Sequence, residues 1–258
     1  MVLISFFVFF FGAIIGSFLN VVVDRLNTGR GLSGRSKCDA TGKALAWYDL
    51  IPILSFILLG GKSRHSKTPL SVQYPLVEMA TGFVFLLIFI KFWPFIFRFP
   101  VDFVFSNLFY SFIFSVLIII FVYDLKHKII PNFFVWLFNL TVFINVLVFY
   151  PNLLHIIAGP LVTLPLFLLW FVSKGRWVGF GDVKLALGMG WMLGISSGLS
   201  ALLLSFWIGA VVGIILLLSK IIKNHEIPFG PFLIIGTFLT FLYNIDMRSI
   251  GIFFMNLI

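Results

Sequence analysis

The chain has 258 residues, of which 61% are hydrophobic and 10% charged, with 35 phenylalanines and a formal net charge of +9. Soluble domains carry about a quarter charged residues, so a soluble globular protein is excluded. Its basic residues gather in the gaps between apolar runs, the positive-inside pattern of a membrane protein rather than a nucleic-acid footprint. The single cysteine, Cys38, excludes a disulfide framework and a multi-cysteine metal site.

A spanning helix needs about 20 apolar residues, and the sequence predicts an all-α, polytopic membrane protein with about eight transmembrane helices. Residues 2–23 form the first, a membrane span rather than a cleavable signal, since no basic stretch precedes it. Residues 24–73 follow as one sizeable loop domain holding eight basic residues and three acidic ones. Within that loop Leu50 to Leu59 is apolar but too short to span, which predicts an interfacial or re-entrant helix. Residues 74–258 make the remaining membrane core, with spans over about 75–97, 103–123, 133–149, 153–173, 183–195, 200–219 and 232–245. Asp124 to Asn132 reads as a polar break ended by Pro131, and Ser196-Ser197-Gly198 as a turn.

Eight spans with the N-terminus outside put 15 of the 18 basic residues on the cytoplasmic side, leaving Lys91, Arg98 and Arg248 outside. Asp124 and Asp182 then face the same side.

Those two carboxylates carry the chemistry. Asp182 follows Gly179-Phe180-Gly181 between two apolar runs, and an ionisable group at membrane depth is a functional-site hypothesis by default. The bland alternative makes Asp182 an N-cap of the following helix. Two Asp groups held near 3 Å apart (about the separation in an aspartyl dyad) cannot both ionise, so they share a proton and divide acid and base roles. The four histidines, His65, His127, His155 and His225, are scattered, and His127 reads as a solvated loop residue. Neither a Gly-x-Ser-x-Gly elbow nor a phosphate loop is present. Glu78 reads either as a substrate contact or as the partner of a basic neighbour.

Six motifs in order carry a resemblance. They are Gly16-Ser17-Phe18-Leu19-Asn20-Val21-Val22, Trp47-Tyr48-Asp49-Leu50-Ile51-Pro52, Tyr74-Pro75-Leu76-Val77-Glu78, and Asp124 with Ile130-Pro131-Asn132. Gly179-Phe180-Gly181-Asp182-Val183-Lys184-Leu185 and Ile227-Pro228-Phe229-Gly230-Pro231-Phe232 complete the set. The chain resembles the type IV prepilin peptidases, leader peptidases of bacterial pilins and pseudopilins and intramembrane aspartyl proteases of the Gly-x-Gly-Asp type. The resemblance implies that Asp124 and Asp182 are the catalytic aspartates. It implies prepilin or pseudopilin substrates, cut after a short basic leader at the cytoplasmic face of the bacterial inner membrane. In many members it also implies N-methylation of the new N-terminus with S-adenosylmethionine.

One departure stands out. The family commonly carries two Cys-x-x-Cys pairs in the first loop, suited to a tetrahedral zinc site. Here those positions read Cys38, Thr41, Ser63 and Ser66, so zinc is not expected. Two rival readings come from other classes: a proton-coupled secondary transporter using the membrane aspartates, and a non-catalytic assembly scaffold. Against the transporter, both aspartates lie at one face and no inverted repeat is found.

Overall fold

The computed structural model describes residues 1–28, 31, 34, 41–42, 44–64, 66–219 and 227–255, without the side chains of 253–255. Among them are nine α-helices: α1 (Val2–Arg25), α2 (Leu54–Leu58), α3 (Gln73–Phe92), α4 (Pro100–His127), α5 (Asn132–Phe149), α6 (Leu153–Ser173), α7 (Phe180–Leu218), α8 (Gly230–Tyr243) and α9 (Met247–Met255). Six of them are long and apolar enough to cross a membrane. The protein is an all-helical, polytopic membrane protein. Its chain divides into two compact units, Met1–Ile119 and Ile120–Ile258.

In the first unit α1 packs on α3 through small residues. Gly12 and Gly16 stand one turn apart, and a Cβ on either would approach the α3 backbone to 2.9 Å at Gly82 or 2.8 Å at Glu78. Small residues at this spacing let membrane helices meet backbone to backbone. Between α1 and α3 the loop folds as a 3₁₀ turn (Trp47–Leu50), the five-residue α2, and a small hairpin closed by a bridge between Lys62 and Pro69. The expected interfacial helix over Leu50–Leu59 is thus broken into two short pieces. Ile53 causes the break: its φ of 63° and ψ of −51° lie outside the helical region.

The second unit is built around α7, which is two helices rather than one. Gly194 has φ 80° and ψ 178°, open to glycine but not to other residues. A Cβ on Gly198 would stand 3.5 Å from the Cα of Gly190. Eight residues along a straight helix would separate them by about 12 Å, so the chain reverses here. The reversal falls at Gly194, not at the expected Ser196-Ser197-Gly198 turn, because the glycine alone supplies the left-handed backbone. Counting the two limbs of α7 separately, eight apolar helical runs stand in the order expected. The first limb, residues 180–193, and the 14-residue α8 are short, rising about 20 Å each.

α6 packs on α7 across another close approach. Pro160 lies inside α6 and has no N–H to give to the carbonyl four residues back. That carbonyl, on Ile156, instead accepts the Trp191 indole N–H at 2.9 Å. In lipid, where no water substitutes, a backbone group freed by proline needs such a partner. The sequence therefore ties a proline in one helix to a tryptophan in the next.

Candidate active site

Four helix ends of the second unit meet around the two aspartates. α4 runs on to His127, four residues past the expected end of its span, so Asp124 sits in its last turns rather than in a polar break. Its carboxylate is buried, at 4% exposure, and accepts the backbone N–H of Gly230 at the start of α8. A Cβ at position 230 would fall 2.5 Å from Oδ2 of Asp124, so only glycine fits.

Asp182 stands in the first turn of α7 at 7% exposure. Its Oδ2 accepts the N–H of Gly179 at 3.1 Å. The N-cap position belongs to Gly179, and Asp182 is the third residue inside the helix. The N-cap alternative is thus corrected: the carboxylate reaches back to the cap residue's N–H, the acidic half of a capping box. The two carboxylates lie within electrostatic reach of each other.

Ile130 is the spacer between these elements. A Cβ on Gly181 would meet its Cβ at 2.9 Å, and one on Gly230 its Cδ1 at 3.1 Å. The apolar side chain thus fills the ground between the starts of α7 and α8, beside Asp124. Lys184, two residues past Asp182, donates from Nζ to the Asn132 side chain at the start of α5. Its ammonium also lies over the Phe180 ring, 5.4 Å from the centroid. The N-termini of α5, α7 and α8 so gather at the C-terminal end of α4. Helix N-termini favour negative charge, which suits a site holding two carboxylates.

Sequence reasoning found both aspartates and named Ile130, Asn132 and Gly230 only as members of motifs. It missed the Asp124–Gly230 bond and Asn139, which donates from Nδ2 to the Lys184 carbonyl at 3.0 Å. The one signal for Asn139 was an amide amid the apolar run Val135–Phe149. His127 is exposed at the end of α4, its ring 4.4 Å from that of Tyr123.

The first unit holds its own polar cluster, partly buried. Glu78, at 7% exposure, accepts the N–H of Ile53 at 2.8 Å and the hydroxyl of Ser17. Among the described residues no basic side chain forms an ion pair with it, so the expectation of a basic partner is not met. Asn20 donates to the Tyr74 carbonyl at 3.1 Å, and the Tyr74 hydroxyl donates to Asp24 at 2.9 Å. Cys38 and His65 lie outside the described residues. At two of the other positions where the family carries cysteines, the Ser66 hydroxyl shares a 2.6 Å hydrogen bond with that of Thr68, and Ser63 is buried. Hydroxyls engaged in this way do not fit a zinc site, which takes thiolates, imidazoles or carboxylates. Among the described residues no three His, Cys, Asp or Glu side chains are grouped to hold a metal ion.

Two carboxylates buried at neighbouring helix ends of a polytopic helical protein suit a membrane-embedded peptidase. The model of the type IV leader peptidase family matches residues 111–214, and that of the bacterial peptidase A24 N-terminal domain matches residues 10–92. A prepilin leader peptidase/N-methyltransferase of Xanthomonas campestris pv. campestris is 30% identical, over 92% of this chain and 90% of its own. One from Bacillus subtilis is 32% identical, over 93% of this chain and 95% of its own. The chain belongs to the type IV leader peptidase family. No solved structure matches it.

Proposed function

We propose that the protein cleaves the short basic leader of type IV prepilins or pseudopilins, with Asp124 and Asp182 as its catalytic pair. The observation that supports this reading most is the convergence of the two aspartates. Each is buried at a helix end and accepts a glycine N–H, Asp124 from the start of α8 and Asp182 from the cap of its own helix, and each lies within reach of the other. The relatives are named prepilin leader peptidase/N-methyltransferase, and nothing in the matched families supports a transporter.

The chemistry is addition of water to a peptide carbonyl. The charged carboxylate takes a proton from water, whose oxygen bonds to the carbonyl carbon, while the protonated carboxylate donates to the carbonyl oxygen. Collapse of the tetrahedral species breaks the C–N bond: the departing amine takes the proton held by the first carboxylate, and a hydroxyl of the tetrahedral carbon returns a proton to the second. Gly230 and Gly179 keep the two carboxylates oriented through their N–H groups.

The site faces the cytoplasm of a bacterial inner membrane, with residues 24–73 as a cytoplasmic loop domain and 74–258 as the protease core. The relatives' names also support N-methylation, for which S-adenosylmethionine would supply the methyl group. The polar side chains of Glu78 and Asn20, which are buried, and of Tyr74 and Asp24, which are half-buried, are engaged with one another, with Ser17 or with backbone. No methyl-transfer step is assigned to a residue.

The test is to incubate the purified protein with a prepilin in detergent or liposomes and weigh the products. Loss of the leader mass is expected. An intact prepilin after exhaustive incubation with folded protein would overturn the reading.

A further inference from the structure

Asn139 is buried to 1% exposure in the apolar α5, and its two polar ends are treated differently. Nδ2 donates to the Lys184 carbonyl at 3.0 Å. No donor among the described residues reaches Oδ1. The Lys184 carbonyl lies inside α7, where the N–H of Gly188 already supplies its regular i to i+4 partner. The amide bond is therefore not needed to satisfy that carbonyl, and a buried acceptor left without a donor is unfavourable. Stability alone does not account for an asparagine here.

Geometry does. Asn132 and Asn139 are seven residues apart and share one face of α5. The first holds the Nζ of Lys184 and the second its carbonyl, so α5 grips one residue of α7 at both ends. Gly188 makes this approach feasible, because a Cβ there would collide with Asn139 Oδ1 and the Phe138 ring. Lys184 lies two residues beyond Asp182. α5 in turn follows α4 through only residues 128–131, with Lys128 N–H bonded to the Asp124 carbonyl at 2.7 Å. A slide or rotation of α7 on α5 would break both grips and move Asp182 relative to Asp124.

We propose that Asn139 is a positioning residue: it sets the register of the first limb of α7 on α5, and so the separation of the two aspartates, at a cost in stability. This rests on the reading of Asp124 and Asp182 as the catalytic pair. It assigns a role to a side chain outside the six sequence motifs.

The test uses full-length Asn139→Leu, which replaces the amide by an apolar side chain of similar size, with Asn139→Ala alongside it should leucine prevent folding. Leader cleavage is followed against substrate concentration, and thermal unfolding is measured in detergent. For the leucine variant the unfolding temperature stays level or rises. For whichever variant folds, kcat falls about ten- to a hundredfold with KM held within about twofold, the scale for a small misplacement of catalytic groups. In the leucine variant a residue with a merely structural role would lower unfolding temperature and activity together, and that result overturns the inference, as does a kcat within about twofold of wild type in whichever variant folds. Asp124→Asn is run in the same assay. If it cleaves normally, the catalytic-pair reading itself fails. If it is inactive while Asn139→Leu is fully active, only the positioning inference fails.

Discussion

The carboxylate of Glu78 accepts the backbone N–H of Ile53 at 2.8 Å, across 25 positions of sequence. Ile53 is a β-branched residue held at φ 63°, and the N–H of Leu54 folds back to the Pro52 carbonyl at 2.5 Å. That is the rarer, strained hand of γ-turn. Such a backbone costs about 1–3 kcal/mol and persists only where its surroundings enforce it. Here the enforcement comes from α3, whose approach to α1 at Gly16 brings Glu78 beneath the turn.

Removing the clamp should release the turn. In Glu78→Ala, hydrogen exchange over residues 47–59 should quicken, because a buried N–H without an acceptor costs about 1–3 kcal/mol and the strain is no longer opposed. Glu78→Gln keeps an acceptor oxygen at the same reach and should exchange nearly as wild type. Equal protection in wild type and Glu78→Ala would show that the turn is held by something else.

The aspartates should behave as one unit. Asp124→Asn and Asp182→Asn preserve size while removing the acid–base group, and each alone should abolish leader cleavage. The double variant should add little, since groups acting together are grossly non-additive. Because an asparagine oxygen can still accept the Gly179 N–H, Asp182→Asn should lose cleavage with little loss of stability. Full cleavage by a folded Asp182→Asn protein would reduce that residue to its structural contact.

Topology is predicted by charge alone. With 15 of 18 basic residues assigned to one side, a reporter fused after Lys43 should read as cytoplasmic and one near Pro151 as external. An external reading after Lys43 would invert the assignment and place both aspartates on the outer face.

What the sequence disclosed and what it hid follow from the range of the physics involved. Runs of apolar residues announce spans, so α1, α5 and α6 fall within a residue or two of expectation. The two aspartates were legible because a carboxylate is expensive among apolar residues and had to be explained. The reversal at Gly194 was misplaced by a few residues because Ser196-Ser197-Gly198 carries more turn formers, whereas one backbone angle decides the matter. The contact of Pro160 and Trp191 was beyond local reading: a proline signals a freed carbonyl, but not which helix supplies the donor. Asn139 and the Glu78–Ile53 clamp were hidden for the same reason, since each joins residues at least 25 positions apart.

The loop that replaces a four-cysteine pattern with Cys38, Thr41, Ser63 and Ser66 should work without metal. Its hairpin is closed by the N–H of Ser63 on the Thr68 carbonyl at 2.8 Å, Lys67 N–H on the Ser63 carbonyl at 2.9 Å, and Leu70 N–H on the Gly61 carbonyl at 2.8 Å. The neighbouring 3₁₀ turn is tied to it by Arg64, whose Nε lies 2.7 Å from Oδ1 of Asp49 and whose guanidinium lies over the Tyr48 ring at 5.0 Å. Asp49 is the buried member of that pair, its side chain 4% exposed. Its Oδ2 also accepts the Ala46 N–H at 3.3 Å. Structural zinc supplies folding energy that chelators remove, whereas hydrogen bonds and one ion pair are indifferent to them. Leader cleavage should therefore survive strong chelation, and Cys38→Ser should leave it unchanged. Asp49→Ala should instead loosen the hairpin, with faster proteolysis between Trp47 and Leu70, because it strands Arg64 and frees the turn. Stoichiometric zinc in the purified protein, lost together with activity in Cys38→Ser, would show that a metal holds this loop after all.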